Sequence, residues 1–147
     1  MSRVLVFLDD QRNPFDLEAN WLVFSPFELL EGDEVIWVKS YKEFIEYLED
    51  YGVPDGVCFD VDLHEKHYGI PQEKWLDYIY QERPFEEYTG YDCAAALIRH
   101  CIDHQVLLSQ WNCHSANPEG KKHVNSILNG FKHYQNAGNL KISTPRG

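Results

Sequence analysis

Val4-Leu-Val-Phe-Leu-Asp-Asp-Gln-Arg-Asn-Pro14, near the start of the chain, is a run of five apolar residues that passes directly into two carboxylates and a cluster of turn formers. An unbroken apolar run of this length reads as a strand covered on both faces, and the Asp-Asp-Gln-Arg-Asn-Pro that follows cannot continue it. Val57-Cys-Phe-Asp-Val-Asp62 repeats the arrangement with a shorter apolar run. In an open α/β sheet, ligands bind in the crevice at the carboxyl ends of parallel strands. Two acidic clusters at such ends point to one cation or phosphate site, because buried carboxylates are costly unless something neutralises them. The alternative is that some of them are helix caps or ordinary turn residues.

The remaining elements follow from this start. Glu34–Lys39 is a second strand, and Ser40 with Glu43 forms a capping box for a helix whose Tyr41, Phe44, Ile45 and Leu48 share one face. Gly52 and Pro54 end it. The third strand covers Val57 to about Val61, and a long connection over residues 64–88 follows, with a short helix expected at Trp75–Tyr80. Thr89-Gly-Tyr-Asp92 is another capping box, for a helix lined by Ala94, Ile98, Cys101 and Ile102. A fourth strand from about Val106 to Cys113 and a helix after Asn117-Pro118, with Val124, Ile127, Leu128 and Phe131 inward, complete the pattern. Residues 15–33, with Leu17, Trp21, Leu22 and Pro26, are ambiguous, and Leu140–Ile142 is a possible fifth strand. Alternating strands and helices predict a single α/β domain over residues 1–147, built on a mostly parallel sheet of four or five strands with helices on both faces.

Composition bounds the function. With 147 residues, 44% of them hydrophobic, the chain can bury a substantial core. Its net charge of −11 is uneven: residues 1–92 hold 22 acids against 7 bases, and residues 93–147 hold 2 acids against 6 bases. Binding along an extended nucleic-acid backbone is excluded by that balance, whereas a small anion held by the basic C-terminal part is not. Cys58, Cys93, Cys101 and Cys113 show no CxxC spacing, and no apolar run is long enough for a bilayer. A cytoplasmic protein with reduced, buried thiols is expected, with no membrane contact and no disulfide framework.

Side chains alternate along a strand, so Asp60 and Asp62 face one way and Val61 the other. If the first and third strands are neighbours, Asp9 or Asp10 joins them, giving hard oxygen ligands suited to Mg²⁺ or Mn²⁺. The second constellation is His114-Ser-Ala-Asn-Pro-Glu-Gly-Lys-Lys122. Asn117 as N-cap and Pro118 at the first helical position predict exposed backbone N–H groups that favour an anion, with Lys121 and Lys122 beside them. His114 and Ser115 are placed to touch what docks there, and imidazole exchanges protons near neutral pH. Thr89 and Arg12, with Gly120, complete the expected ligand contacts. The other histidines (His64, His67, His100, His104, His123 and His133) read as structural. So do the tryptophans, although Trp75 is a conceivable nucleobase platform.

The order of Leu8-Asp-Asp-Gln-Arg-Asn-Pro14, Pro54-Asp-Gly-Val-Cys-Phe-Asp-Val-Asp-Leu63, Thr89-Gly-Tyr-Asp92 and His114-Ser-Ala-Asn-Pro-Glu-Gly120 resembles the cyclic-phosphate-processing receiver-like domain family over residues 4 to 135. The resemblance implies a receiver-like (flavodoxin-like) fold whose acidic pocket is reused around a phosphate-containing ligand. By position, Asp9, Asp10 and Asp60 would match the receiver acidic pocket, where they would hold a divalent cation. Asp62 would match the second aspartate of Phe-Asp-His-Asp, and His114, Ser115 and Asn117 the His-Ser-x-Asn-Pro element. The family usually carries histidine where this chain has Val61. The implied activity is a metal-assisted phosphoesterase opening a cyclic phosphate of a nucleotide or RNA end, with Asp62 orienting water and His114 protonating the departing oxygen. Two alternatives stay open: a non-catalytic cyclic-nucleotide binder, and a receiver phosphorylated on Asp60, for which Lys141 is the candidate partner lysine.

Overall fold

The computed structural model describes residues 3–15, 31–64, 67, 69–115 and 117–137. Among these residues, four strands, β1 (Val4–Leu8), β2 (Glu34–Val38), β3 (Gly56–Phe59) and β4 (Gln110–Cys113), form one sheet in the order β2-β1-β3-β4, each of these pairings parallel. The α-helices among the described residues are α1 (Tyr41–Tyr51), the short α2 (Trp75–Ile79), α3 (Gly90–His104) and α4 (Pro118–Asn136). This is the expected receiver-like α/β architecture. The ambiguous stretch lies mostly outside the described residues, and the possible fifth strand with Lys141 lies wholly outside them.

Alternation divides the core. Val4, Val6, Leu8, Val57 and Phe59 meet Phe44 and Leu48 of α1, Ala94 and Leu97 of α3, and Val124 and Leu128 of α4. Leu5, Phe7 and Cys58 point to the other face, against Val35 and Trp37. Central β1 is buried along its whole length, as its continuous apolar run predicts, while edge strand β2 is only partly covered.

Register makes the sheet edge a platform. Leu8 pairs with Phe59, and Phe59 with Cys113, so β1, β3 and β4 run out in step. The next residues, Asp9, Asp60 and His114, still extend the ladder: Asp60 N–H donates to Leu8 O and His114 N–H to Phe59 O, both at 2.9 Å. Two strands are shorter than expected because their backbone groups go elsewhere. After Asp60 the chain turns toward α3, where Val61 O accepts Gly90 N–H at 2.8 Å. Ahead of β4, the Gln135 amide takes Val106 O and Leu108 N–H, both at 2.9 Å, so pairing with β3 starts only at Gln110.

The caps form as the sequence indicates. Thr89 and Asp92 make the reciprocal capping box of α3, and Ser40 Oγ accepts Glu43 N–H at α1, though Glu43 returns its bond to Lys39 N–H. Gly52, at φ 81°, closes α1 in a conformation that favours glycine. Trp75 is fully buried, stacked on His123 at 5.6 Å, which corrects the idea of a nucleobase platform.

Candidate functional site

One residue beyond β1, Asp9 is fixed from several directions. Its carbonyl accepts Trp37 Nε1–H at 2.8 Å, and its Oδ1 accepts the backbone N–H of Gln11 and Arg12, each at 2.8 Å. Oδ2 lies 3.0 Å from His114 Nε2 and 3.3 Å from Arg12 Nη1. Burial pushes this carboxyl up, but the bonds from His114, Arg12 and Gln11 outweigh it and hold Asp9 below the usual carboxylate range.

Asp60 sits in the opposite circumstance. It is 5% exposed, and among the described residues none donates a hydrogen bond to its carboxylate. Burial first, then the charges of Asp9, Asp62 and Asp10, push it up to about 8. Asp62 faces the same cavity, as alternation predicts; burial raises it too, although Asn117 Nδ2 donates to Oδ1 at 3.2 Å. A cavity of about 280 Å³ opens here, lined by Asp9, Gln11, Arg12, Asp60, Asp62, His67, Ile70, Gln72 and Asn117. Three carboxylates against one guanidinium give the cavity an acidic lining, in which a cation would be favoured over an anion.

Asp9, Asp60 and His114 each offer one donor atom, all within 4.8 Å of one another. This set differs from the expected Asp9, Asp10 and Asp60. Asp10, partly buried, acts on Asp60 and Asp62 through its charge but is not among the lining residues.

The remaining expected residues separate by where their polar atoms are committed. Arg12 and Asn117 line the cavity; His114, Ser115, Gly120, Lys121 and Thr89 do not. The His114 side chain has no exposure and stacks on Phe7 at 4.7 Å with an interplanar angle of 4°. Its place is next to Asp9, within the fold. Ser115 Oγ accepts Asn117 N–H at 3.0 Å, and Thr89 is a buried helix cap. The expected open helix terminus is filled from within the protein. Glu119 N–H donates to Gln72 Oε1 at 3.1 Å, Gly120 N–H to Asn117 Oδ1 at 2.9 Å, and Lys121 N–H to Asn117 O at 2.9 Å, while Pro118 has none to give. Lys121 is exposed.

Gly120 is needed for packing. A Cβ there would collide with the Val61 side chain and crowd the Asn117 amide. Val61 is fully buried on the side away from the two aspartates, so position 61 contributes to the core and not to the cavity.

The long connection supplies a wall that the sequence reading did not assign. Ile70 and Gln72 line the cavity, and His67 braces it. His67 Nδ1 accepts N–H from Leu63 at 2.8 Å and His64 at 3.2 Å, which puts the proton on Nε2, donating to Glu87 O at 2.7 Å. Arg83 anchors the far end: it pairs with both Asp92 oxygens at 2.8 and 3.1 Å and donates to Ile79 O at 2.8 Å. A sequence clue existed, since a connection that leaves directly after Asp62 has to cross the sheet edge.

The family model described as the cyclic-phosphate processing receiver domain matches residues 4–130, a span that holds all four strands and every residue lining the cavity. No match was found among curated proteins or among solved structures.

Proposed function

The chain belongs to the family of cyclic-phosphate processing receiver domains, and from that premise we propose that it is a metal-assisted phosphoesterase that opens a cyclic phosphate of a nucleotide or RNA end. The observation that carries this is the state of Asp60: a buried carboxylate, flanked by two others and given no donor by the described residues. Such a group needs a proton or a cation. Asp9, Asp60 and His114 fit a divalent ion of the Mg²⁺ or Mn²⁺ class, with His114 also holding the carboxylate of Asp9. When bound, that ion would supply the positive charge that draws in and neutralises a phosphate.

The chain's own groups supply the remainder. Arg12 offers its guanidinium at the rim, where its side chain is 40% exposed. Asp62, made more basic by burial and oriented by Asn117, takes a proton from water as the water oxygen bonds to phosphorus and one ring P–O bond breaks. The departing alkoxide is protonated from solvent. His114 would serve the cation and brace Asp9 rather than act as the expected general acid, because its side chain is wholly enclosed.

A panel of 2′,3′-cyclic and 3′,5′-cyclic nucleotides, with and without Mg²⁺ or Mn²⁺ and followed by phosphorus NMR, tests the proposal. Turnover should require the cation and fall about 100-fold or more in Asp62→Asn. Thermal stabilisation with ligand recovered intact would replace hydrolysis by binding. Mass gain on Asp60 after incubation with a small phosphodonor would identify a phospho-accepting receiver instead.

A further inference from the structure

Asp62 is set between two peptide planes that are each held by a hydrogen bond. Ahead of it, Val61 O accepts Gly90 N–H at 2.8 Å. Behind it, Leu63 N–H donates to His67 Nδ1 at 2.8 Å. Because a peptide unit is planar, fixing the planes on both sides of one Cα leaves the direction of its side chain little freedom. The Asp62 carboxylate accordingly meets Asn117 Nδ2–H at 3.2 Å, where both residues line the cavity. The two backbone bonds also share an anchor. His67 Nε2–H donates at 2.7 Å to Glu87 O, shortly before Gly90, and Glu87 O accepts the Tyr78 hydroxyl at 3.1 Å as well.

His67 is buried, with its ring edge-on to Tyr78 at 5.7 Å. Burial, which outweighs the bond to Glu87, holds its pKa below 6.5, so near neutral pH the ring has one donor and one acceptor. Both are committed to backbone, so the ring reaches a substrate only through what it holds. We propose that His67 is the positioning residue for Asp62: its Nδ1 fixes the second peptide plane and keeps the carboxylate aimed at the attacking water. This role rests on the reading of Asp62 as the group that takes a proton from that water. If His67 served only to pin the long connection, its bond to Glu87 would matter as much as its bond to Leu63. Aiming Asp62 depends on Nδ1 in particular.

Two variants separate the two bonds. Asparagine carries an oxygen as far along the side chain as Nδ1, and glutamine an amide nitrogen as far along as Nε2. With Mn²⁺ and 2′,3′-cyclic AMP, His67→Gln should lower kcat about 10–100-fold at a KM within about twofold, whereas His67→Asn should keep kcat within about threefold. Amide NMR of the metal-free full chain near neutral pH gives a readout that needs no turnover. The Asn117 Nδ2–H₂ signals, which report the bond to Asp62, should shift in His67→Gln and stay near their parent positions in His67→Asn. Equal losses of kcat in the two variants, or unshifted Asn117 signals in His67→Gln, overturn the role. Loss of kcat in His67→Asn overturns it even if His67→Gln fails to fold, which a melting curve reveals. Absence of turnover in the parent speaks against the phosphoesterase alone, and the Asn117 signals then decide the role of His67.

Discussion

Asp60 makes the stability of the metal-free protein depend on pH in a definite sense. Its folded carboxyl is raised to about 8 from an ordinary 3.8, chiefly by burial. Between those values the native state keeps a proton that the unfolded chain releases, so this contribution is full at low pH and is lost as pH rises toward 8. Asp62, also raised, acts in the same direction, whereas His67, lowered by burial, loses its contribution as pH falls through 6.5. The difference in melting temperature between Asp60→Asn and the parent isolates the Asp60 part: the variant should gain on the parent as pH rises. Cation binding must displace the same proton, so apparent affinity for Mn²⁺ should increase by about tenfold per pH unit up to near 8. A flat affinity profile would disprove the assignment. His114→Gln, which takes the imidazole from Asp9, should cost about 10–100-fold in Mn²⁺ affinity, measured by titration; an unchanged constant would separate His114 from the cation site.

Backbone contacts between elements decide which substitutions the fold tolerates. Gly90 starts α3 so close to β3 that a Cβ would collide with the Asp60 carbonyl, whereas Gly130, inside α4, has nothing within 4 Å of the equivalent point. Gly90→Ala should therefore cost about 3 kcal/mol or more, and Gly130→Ala should gain about 1 kcal/mol by removing a flexible residue from a helix interior. Denaturant titration of the two variants checks the contrast; equal stabilities would contradict the close approach. The elements were legible where they are local. The apolar runs at Val4–Leu8 and Val57–Phe59, the Ser40 and Thr89 caps, and the helix after Asn117-Pro118 all form. The end of β3 and the start of β4 were not legible, because Gly90 N–H and the Gln135 amide claim backbone groups from distant positions. For the same reason the N-terminus of α4 read as an open anion site: only the folded chain brings Gln72 to Glu119.

At the scale of the whole molecule, the meeting of Asp9, Asp60 and Asp62 was foreseeable because alternation and neighbouring strands fix it. The enclosure of His114 was not, because only strand register stacks its ring on Phe7 and joins it to Asp9 across 105 positions of sequence. A cation held by Asp9, Asp60 and His114 should slow hydrogen exchange of the slowest amides in β1 and β3 along with those at the sheet edge; slowing confined to the edge would show that the strands open separately. Because three strands must finish level with one another before the donors line up, no excised fragment can carry this centre. Occupancy of the centre by a cation would in effect be a certificate of completed folding, and a nascent chain would gain that ion only once β4 has docked.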